Sequence, residues 1–324
     1  MRQPPYAIAV DLGATNVRVA LVSGTGKILE KLQERTAKKG KNGRVVTDQI
    51  VGMIGAVNRN AKGKKIHGVG IAAIGPLDYK RGGPIHSPNT QFSFVPLVVP
   101  LKERFALPVV LLNDCKAGVL GEHCFGTGKG VNNLVYIGIS TGIGAGAIVD
   151  GKLLFGKEGN AAEIGHVVID SMYRLACSCK RGFGHWEGLA SGVNLPRFFK
   201  VWARMHRKNN ASDTNSAEDI FLAARKGNTV YRDFLAEVGR INARAISDII
   251  VAFDPELITL GGPVVLNNKA IMLTGIRPHI ERFLKAPKIQ ITSLGEDINL
   301  LGAAAAVFDP SVTTFVRVLE KRTT

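Results

Sequence analysis

Residues 163–188, EIGHVVIDSMYRLACSCKRGFGHWEG, gather two of the four cysteines, two of the seven histidines and three carboxylates of a 324-residue chain. Thiolates and imidazoles are the ligands that divalent transition metals prefer. Carboxylates and imidazoles also hold hydroxyl-bearing ligands, because they accept or donate paired hydrogen bonds. The stretch therefore admits a metal site, a substrate site, or both. Four cysteines in a chain of this length make no disulfide framework, and the Cys177-x-Cys179 spacing suits metal binding better. Cys115 and Cys124 read as buried thiols.

Two glycine-rich turns offer a second chemistry. In DLGATN (residues 11–16) and STGIGAG (140–146) a strand runs into a tight turn whose backbone N–H groups can face one concavity. Such a concavity suits phosphate oxygens, since no side chain blocks their approach. Asp11 adds a carboxylate able to hold Mg²⁺ through water, and Thr15 and Thr141 add hydroxyls. Two such turns could grip a triphosphate from both sides, although each could equally be an ordinary hairpin turn. Two look-alikes fail. Gly146 to Lys152 matches the first part of a P-loop, but Leu153 stands where Ser or Thr would bind Mg²⁺ and a strand follows in place of a helix. Gly142-x-Gly144-x-Gly146 resembles part of a dinucleotide fingerprint, but that motif must open a helix, and AIVDGKLL is strand-like.

The elements that carry these residues follow from periodicity. YAIAVDLGATNVRVALVSGTGKILEKL alternates apolar and polar residues around a glycine turn and predicts consecutive antiparallel strands. A helix with Val45, Ile50, Ile54 and Val57 on one face follows, then an apolar strand, IHGVGIAAIG. PLDYKRGGPIHSPNTQFSF is too polar and broken for a regular element. LPVVLLND is a buried strand, and Asp114 can cap the helix after it. NLVYIGISTGIGAGAIVDGKLLFG then repeats the strand, glycine turn, strand pattern. Helices are expected over 195–208, 216–226 and 229–253, then a strand LITLGG, a helix around IRPHIERFL, a strand KIQITSL and a last helix in LLGAAAAVF. Two α/β lobes, each begun by a strand–turn–strand unit, describe this order most simply. A hydrophobic content of 45% is enough to fill two cores. No apolar run is long enough to span a membrane, and MRQPPYAIAVDLG lacks a signal-peptide pattern, so a soluble cytoplasmic protein is expected. The formal charge of +16 is scattered, with only short clusters such as KKGKNGR. It reads as a solvated basic surface that favours an anionic substrate such as a nucleotide over a specific nucleic-acid partner.

DLGATNVR, LLND, STGIGAGAIVDGKLLFGKEGNAAEIGH, the Cys-x-Cys segment, LGGP and LGAAAA stand in the order found in the ROK family of sugar kinases and repressors, and the resemblance covers nearly the whole chain. It implies an α/β fold of the two-lobed, actin-like ATPase type (hexokinase-type, ribonuclease H-like), with an active-site cleft between the lobes. On that reading residues 1–112 with 306–324 form the smaller lobe and 113–305 the larger. The implied activity is ATP-dependent transfer of a phosphoryl group to the 6-hydroxyl of glucose or a related hexose. Such transfer needs a base at the hydroxyl, cations on the phosphates and exclusion of water. By resemblance Asp114 is the base, its other reading being a helix N-cap. Asn89, Asn113, Asp114, Glu163, His166 and Glu187 would hold the sugar. Asp11, Gly13, Ala14, Thr15, Asn16, Arg18, Thr141, Gly142, Gly261 and Gly262 would hold ATP and its Mg²⁺.

Many members of the family bind zinc through the His of Glu-x-Gly-His and three cysteines in a Cys-x-Cys-Gly-x-x-Gly-Cys-x-Glu pattern. This chain reads Cys177-Ser-Cys179-Lys-Arg-Gly-Phe-Gly184-His185-Trp-Glu187, with one residue inserted and His185 at the third cysteine's place. Imidazole serves zinc as thiolate does, so His166, Cys177, Cys179 and His185 make a full set for a structural Zn²⁺. The insertion could instead turn His185 away. The rival activities are an N-acetylhexosamine kinase, a fructokinase and a polyphosphate-dependent glucokinase. A sugar-responsive repressor is a rival of another kind, but it would carry a DNA-binding helix-turn-helix for which ten residues before Asp11 leave no room. The family also implies a homodimer or homotetramer.

Overall fold

A computed structural model of the chain describes residues 5–59, 61, 63–86, 91–208 and 216–321. The chain divides into two compact units, the first comprising Met1–Val131, Gly151–Ala161 and Asp297–Thr324, the second Asn132–Asp150 and Ala162–Glu296. In chain order the first unit runs β1 (Tyr6–Leu12), β2 (Asn16–Ser23), β3 (Ile28–Arg35), α1 (Arg44–Arg59), β4 (Ile66–Ala73), β5 (Leu77–Asp78), β6 (Gly83–Pro84), α2 (Val98–Phe105), β7 (Val109–Asn113) and α3 (Asp114–Phe125). The second unit opens with β8 (Leu134–Ile139) and β9 (Ile143–Val149), and β10 (Lys152–Leu153) lies in the return to the first. Then come α4 (Trp186–Ala190), α5 (Leu195–Met205), α6 (Ala217–Arg225), α7 (Thr229–Phe253), β11 (Leu257–Gly261), α8 (Pro263–Leu266), α9 (Lys269–Ile276) and β12 (Lys288–Ile291). The chain closes with α10 (Ile298–Phe308) and α11 (Pro310–Lys321) back in the first unit.

The internal repetition expected from the glycine turns is present in the sheets. The first sheet has the order β3-β2-β1-β4-β7, with β1 antiparallel to β2 and parallel to β4. In the second, β9-β8-β11-β12 follow one another, with β8 antiparallel to β9 and parallel to β11. Each unit thus extends one hairpin by parallel strands. β1 and β8 are the inner strands of their sheets and are buried almost throughout, whereas the edge strand β3 exposes every second residue along most of its length. The P-loop look-alike is part of β9 and a tight turn in which Asp150 and Gly151 have φ of 50° and 73°, the backbone of a two-residue hairpin.

The polyalanine stretch of α10 has a packing reason. A Cβ on Gly302 would lie 1.6 Å from the Ala117 carbonyl oxygen in α3, and one on Gly70 of β4 would lie 1.8 Å from that of Ala303. Three backbones therefore meet with almost nothing between them, which only Gly and Ala permit. This packing is why the compact units divide the chain differently from the expected lobes. Residues 113–131 and 297–305 go with the first unit, because α3 and α10 pack on each other and α10 covers β1 and β4, and residues 151–161 go with it too.

Several local expectations are corrected. Val46, not Val45, lies on the buried face of α1 with Ile50, Ile54 and Val57. The loop after β4 contains a short hairpin, β5–β6, whose strands are two residues each. The helix placed around IRPHIERFL lies earlier, in α9, and gives way after Ile276 to a 3-10 turn, Arg277–His279. α11, amphipathic with Val312, Val316 and Leu319 buried, was not foreseen. No single helix among the described residues is long and apolar enough to cross a membrane. Replacing Gly302 with valine should lower the unfolding free energy by about 3 kcal/mol, because backbone cannot retreat as a side chain can. Guanidinium unfolding with an unchanged midpoint would contradict the closeness of α10.

Candidate functional site

The candidate metal cluster is assembled within the second unit by a strap between the 3-10 turn Ile164–His166 and α4. Isolated bridges pair Val168 with His185 and Ala176 with Phe183, so the strap folds back on itself. Cys177 N–H donates to the Gly182 carbonyl at 2.8 Å, and Lys180 N–H to that of Cys177 at 3.0 Å. The inserted residue is absorbed inside this turn, where Lys180 takes a positive φ of 59°. His185 therefore still arrives in register. His166 Nδ1 lies 3.8 Å from Cys177 Sγ, and His185 Nδ1 lies 3.6 Å from Cys179 Sγ. All four ligand atoms fall within 4.8 Å of one another.

These distances test the fit to a metal. Zinc bonds of about 2.3 Å to sulfur and about 2.0 to 2.1 Å to nitrogen, at a tetrahedral angle, put neighbouring S and N atoms about 3.6 Å apart. Two thiols and two imidazoles at 3.6 and 3.8 Å match that spacing and chemistry. Burial pushes the Cys177 thiol up to about 11, and burial followed by the neighbouring His166 lowers the pKa of His185. Both shifts favour the neutral form of their group, and a divalent cation is what would turn the Cys177 thiol into a thiolate.

Glu187, in the first turn of α4, joins this cluster to the second glycine turn. Its Oε1 accepts from Ser178 Oγ at 2.7 Å and lies 3.7 Å from Cys177 Sγ. Its Oε2 accepts the Ile143 N–H at 3.0 Å. A Cβ on Gly142 would fall 2.4 Å from that oxygen, so glycine is what lets the carboxylate reach the turn. One amide of the STGIGAG turn is therefore already bonded to Glu187, and Thr141 stands exposed at its tip. Glu163 and His166 are exposed at the ends of the 3-10 turn. Gly261 and Gly262 have packing reasons of their own. A Cβ on Gly261 would strike Tyr136, and Gly262, with φ of 84°, sits against the Ile139 backbone.

Three residues that sequence reasoning passed over hold the strap in place. The Nε1–H of the buried Trp186 donates to Asn242 Oδ1 on α7 at 2.8 Å. Arg244, also on α7, donates to Asp170 Oδ2 at 3.1 Å, while Asp170 Oδ1 accepts the N–H groups of Met172 and Tyr173. Ser178 had a visible signal, a hydroxyl between two metal-spaced cysteines. Asn242 and Arg244 had none, because their partners are 56 and 74 residues away.

In the first unit Asn113 is the residue that caps α3, its Oδ1 accepting from Cys115 N–H at 3.0 Å and Lys116 N–H at 3.4 Å. The expected cap at Asp114 is thus corrected by one position. Asp114 lies in the first helical turn, and its Oδ1 also accepts the Cys115 N–H at 2.8 Å. Asp11 and Arg18 are directly opposite in the β1–β2 ladder, and the register makes them an ion pair, with Arg18 Nε donating to Asp11 Oδ2 at 2.9 Å. Asn299 Nδ2 approaches Asp11 Oδ1 at 3.5 Å. Gly13, whose N–H donates to the Asn16 carbonyl at 3.0 Å, closes the turn, while Ala14 is half-buried and Thr15 and Asn16 are exposed at the tip. Asn89 lies outside the described residues.

Two α/β units, each begun by a hairpin around a glycine turn and extended by parallel strands, belong to the actin-like ATPase fold. The ROK family model matches residues 7–309, and the chain belongs to that family. A glucokinase of Pyrobaculum calidifontis is 36% identical over 93% of this chain and 94% of its own length. Among solved structures, a ROK family glucokinase from Streptomyces griseus in complex with glucose and AMPPNP has a TM-score of 0.75 at 30% identity, covering 92% of this chain and 98% of its own. ROK hexokinase from Thermus thermophilus has a TM-score of 0.77 at 28% identity, covering 97% and 99%.

The Asp11–Arg18 pair makes a pH-dependent prediction. Burial raises the Asp11 pKa, and the Arg18 charge beside it is the chief opposing influence. Arg18→Met leaves burial opposed only by the hydrogen bond from Asn299. A carboxyl whose pKa is higher folded than unfolded favours the folded state while protonated, and loses that advantage as pH rises through the folded value. The variant should therefore be about 3 kcal/mol less stable at pH 7, with a smaller deficit at pH 5. Denaturant melts showing a deficit that grows on acidification would contradict this.

Proposed function

We propose that this chain is an ATP-dependent hexose kinase that transfers the γ-phosphoryl group to the 6-hydroxyl of glucose, in the manner its relatives' names describe. The observation that carries the reading is the division of labour at the start of α3. Asn113 caps the helix by accepting the Cys115 and Lys116 N–H groups, and Asp114 beside it, whose Oδ1 also accepts the Cys115 N–H at 2.8 Å, stands in the first turn as the proposed base. Asp114 takes the proton from the attacking hydroxyl. Glu163, His166, Glu187 and Asn113 hold the neighbouring hydroxyls, with Asn89 assigned to the same task from its place in the SPNT loop.

The DLGATN and STGIGAG turns are assigned to the phosphates. The residues present fit Mg²⁺ at Asp11 through water only at Oδ1, because Oδ2 is engaged by Arg18. When bound, Mg²⁺ draws negative charge from the transferring group. Arg18, held by Asp11, keeps the turn's shape, and Gly13, Ala14, Thr15, Asn16, Thr141 and Gly142 offer small side chains, hydroxyls and backbone. Gly261 and Gly262, which pack against Tyr136 and Ile139, are assigned to the nucleoside side. The four cysteines form no disulfide with one another, and a cytoplasmic homodimer or homotetramer is the proposed assembly.

A coupled assay across glucose, mannose, fructose, N-acetylglucosamine and N-acetylmannosamine, with ATP and then polyphosphate, tests the reading. Glucose with ATP should turn over fastest. Asp114→Asn should leave glucose binding nearly intact and lower kcat by roughly 10² to 10⁴. More than about a tenth of the native rate remaining would reject the base.

For the metal we propose one structural Zn²⁺ on His166, Cys177, Cys179 and His185. With Nδ1 of His166 directed at the cluster, its Nε2 remains for a sugar hydroxyl. Protein purified without chelators should carry about one zinc per chain, and Cys177→Ser should lose zinc, melting temperature and glucose affinity together. Unchanged affinity in the folded variant would uncouple the metal from the sugar.

A further inference from the structure

Beside the metal cluster, within the second unit, lies an open concavity of about 520 Å³ lined by Lys180, Arg181 and Arg197 together with Ser178 and Phe183. No lining residue is acidic, and among the described residues no carboxylate pairs with any of the three cations. Three like charges around one hollow repel each other, and an anion between them would reverse the sign of that interaction. Arginine forks and a lysine ammonium match the oxygens of a phosphate dianion. Arg197 is already steadied, since its Nη1 donates to the Ala176 carbonyl at 2.9 Å.

Phe183 adds a second requirement. Its side chain is 65% exposed, a large apolar face left in water next to the cations. A bare inorganic anion makes no use of such a face, whereas the apolar side of a sugar ring covers it. Ser178 supplies a link inward, because its hydroxyl donates to Glu187 Oε1 at 2.7 Å. We infer that this concavity binds a phosphate monoester carried on a sugar ring, and that its occupancy is felt by Glu187 through Ser178. The choice of ester rests on the kinase reading, since a hexose 6-phosphate is the product of that reaction. The site would then report product concentration to a residue that holds the substrate.

The experiment is calorimetric titration of the purified full chain with glucose 6-phosphate, and in parallel with inorganic phosphate, at saturating glucose so that the sugar site is filled. The expected result is saturable binding of the ester that weakens roughly tenfold when Lys180→Gln and Arg181→Gln remove two charge-assisted contacts. Phe183→Ala should weaken the ester and leave inorganic phosphate unaffected. Neither variant should change kcat or KM for glucose in the absence of product. Ester affinity unmoved by the charge variant, or no ester binding with glucose saturating, would overturn the inference. Equal binding of ester and inorganic phosphate, both indifferent to Phe183→Ala, would overturn it too. The titration needs no turnover, so an inactive chain with the expected binding pattern would refute the kinase reading and leave this site standing.

Discussion

The carboxylate of Glu187 is where the separate pieces of the second unit meet. One oxygen takes an amide from the glycine turn 44 residues earlier, and the other takes a hydroxyl from between the two cysteines. A half-buried carboxylate is costly unless such donors satisfy it, so turn, strap and helix hold one another in a single arrangement. Trp186, the preceding residue, fixes the same helix from behind through Asn242. The strap that carries the two His and two Cys side chains is thus framed by protein contacts on two sides, which hold their four donor atoms within 4.8 Å of one another.

Charge is handled differently on the surface and inside. Of the net +16, most lies on exposed side chains, where screening makes single pairs worth little. The buried exceptions are each tied to a partner. Asp11 is matched by Arg18 across the first hairpin, and the fully buried ammonium of Lys116 donates to the Ala161 carbonyl at 2.7 Å. The proposed phosphate-binding turns contain no cation of their own, which agrees with binding by backbone N–H groups and small side chains.

Close backbone packing is the other constraint on the first unit. α10 approaches α3 and β4 so nearly that a single added carbon would overlap a carbonyl oxygen. The start of α3, where Asn113 and Asp114 stand, is therefore set against a rigid partner, which is what precise placement of a reacting carboxylate requires.

Much was legible in residue order alone. Hydrophobic alternation around the two glycine turns marked both hairpins, and the family's motifs in sequence named the fold, since periodicity and turn chemistry are local properties. The four proposed metal ligands could be picked out by type, because sulfur and imidazole donors at short spacing have few other uses. What local pattern could not settle was distance. Whether His185, one residue late, still reaches the cluster depended on a turn absorbing the extra residue at Lys180. Which of Asn113 and Asp114 caps α3 depended on one hydrogen-bond geometry. The supports on α7 and the bond from Glu187 to Ile143 join residues far apart in the chain, and only the packing of helices and strands brings such residues together.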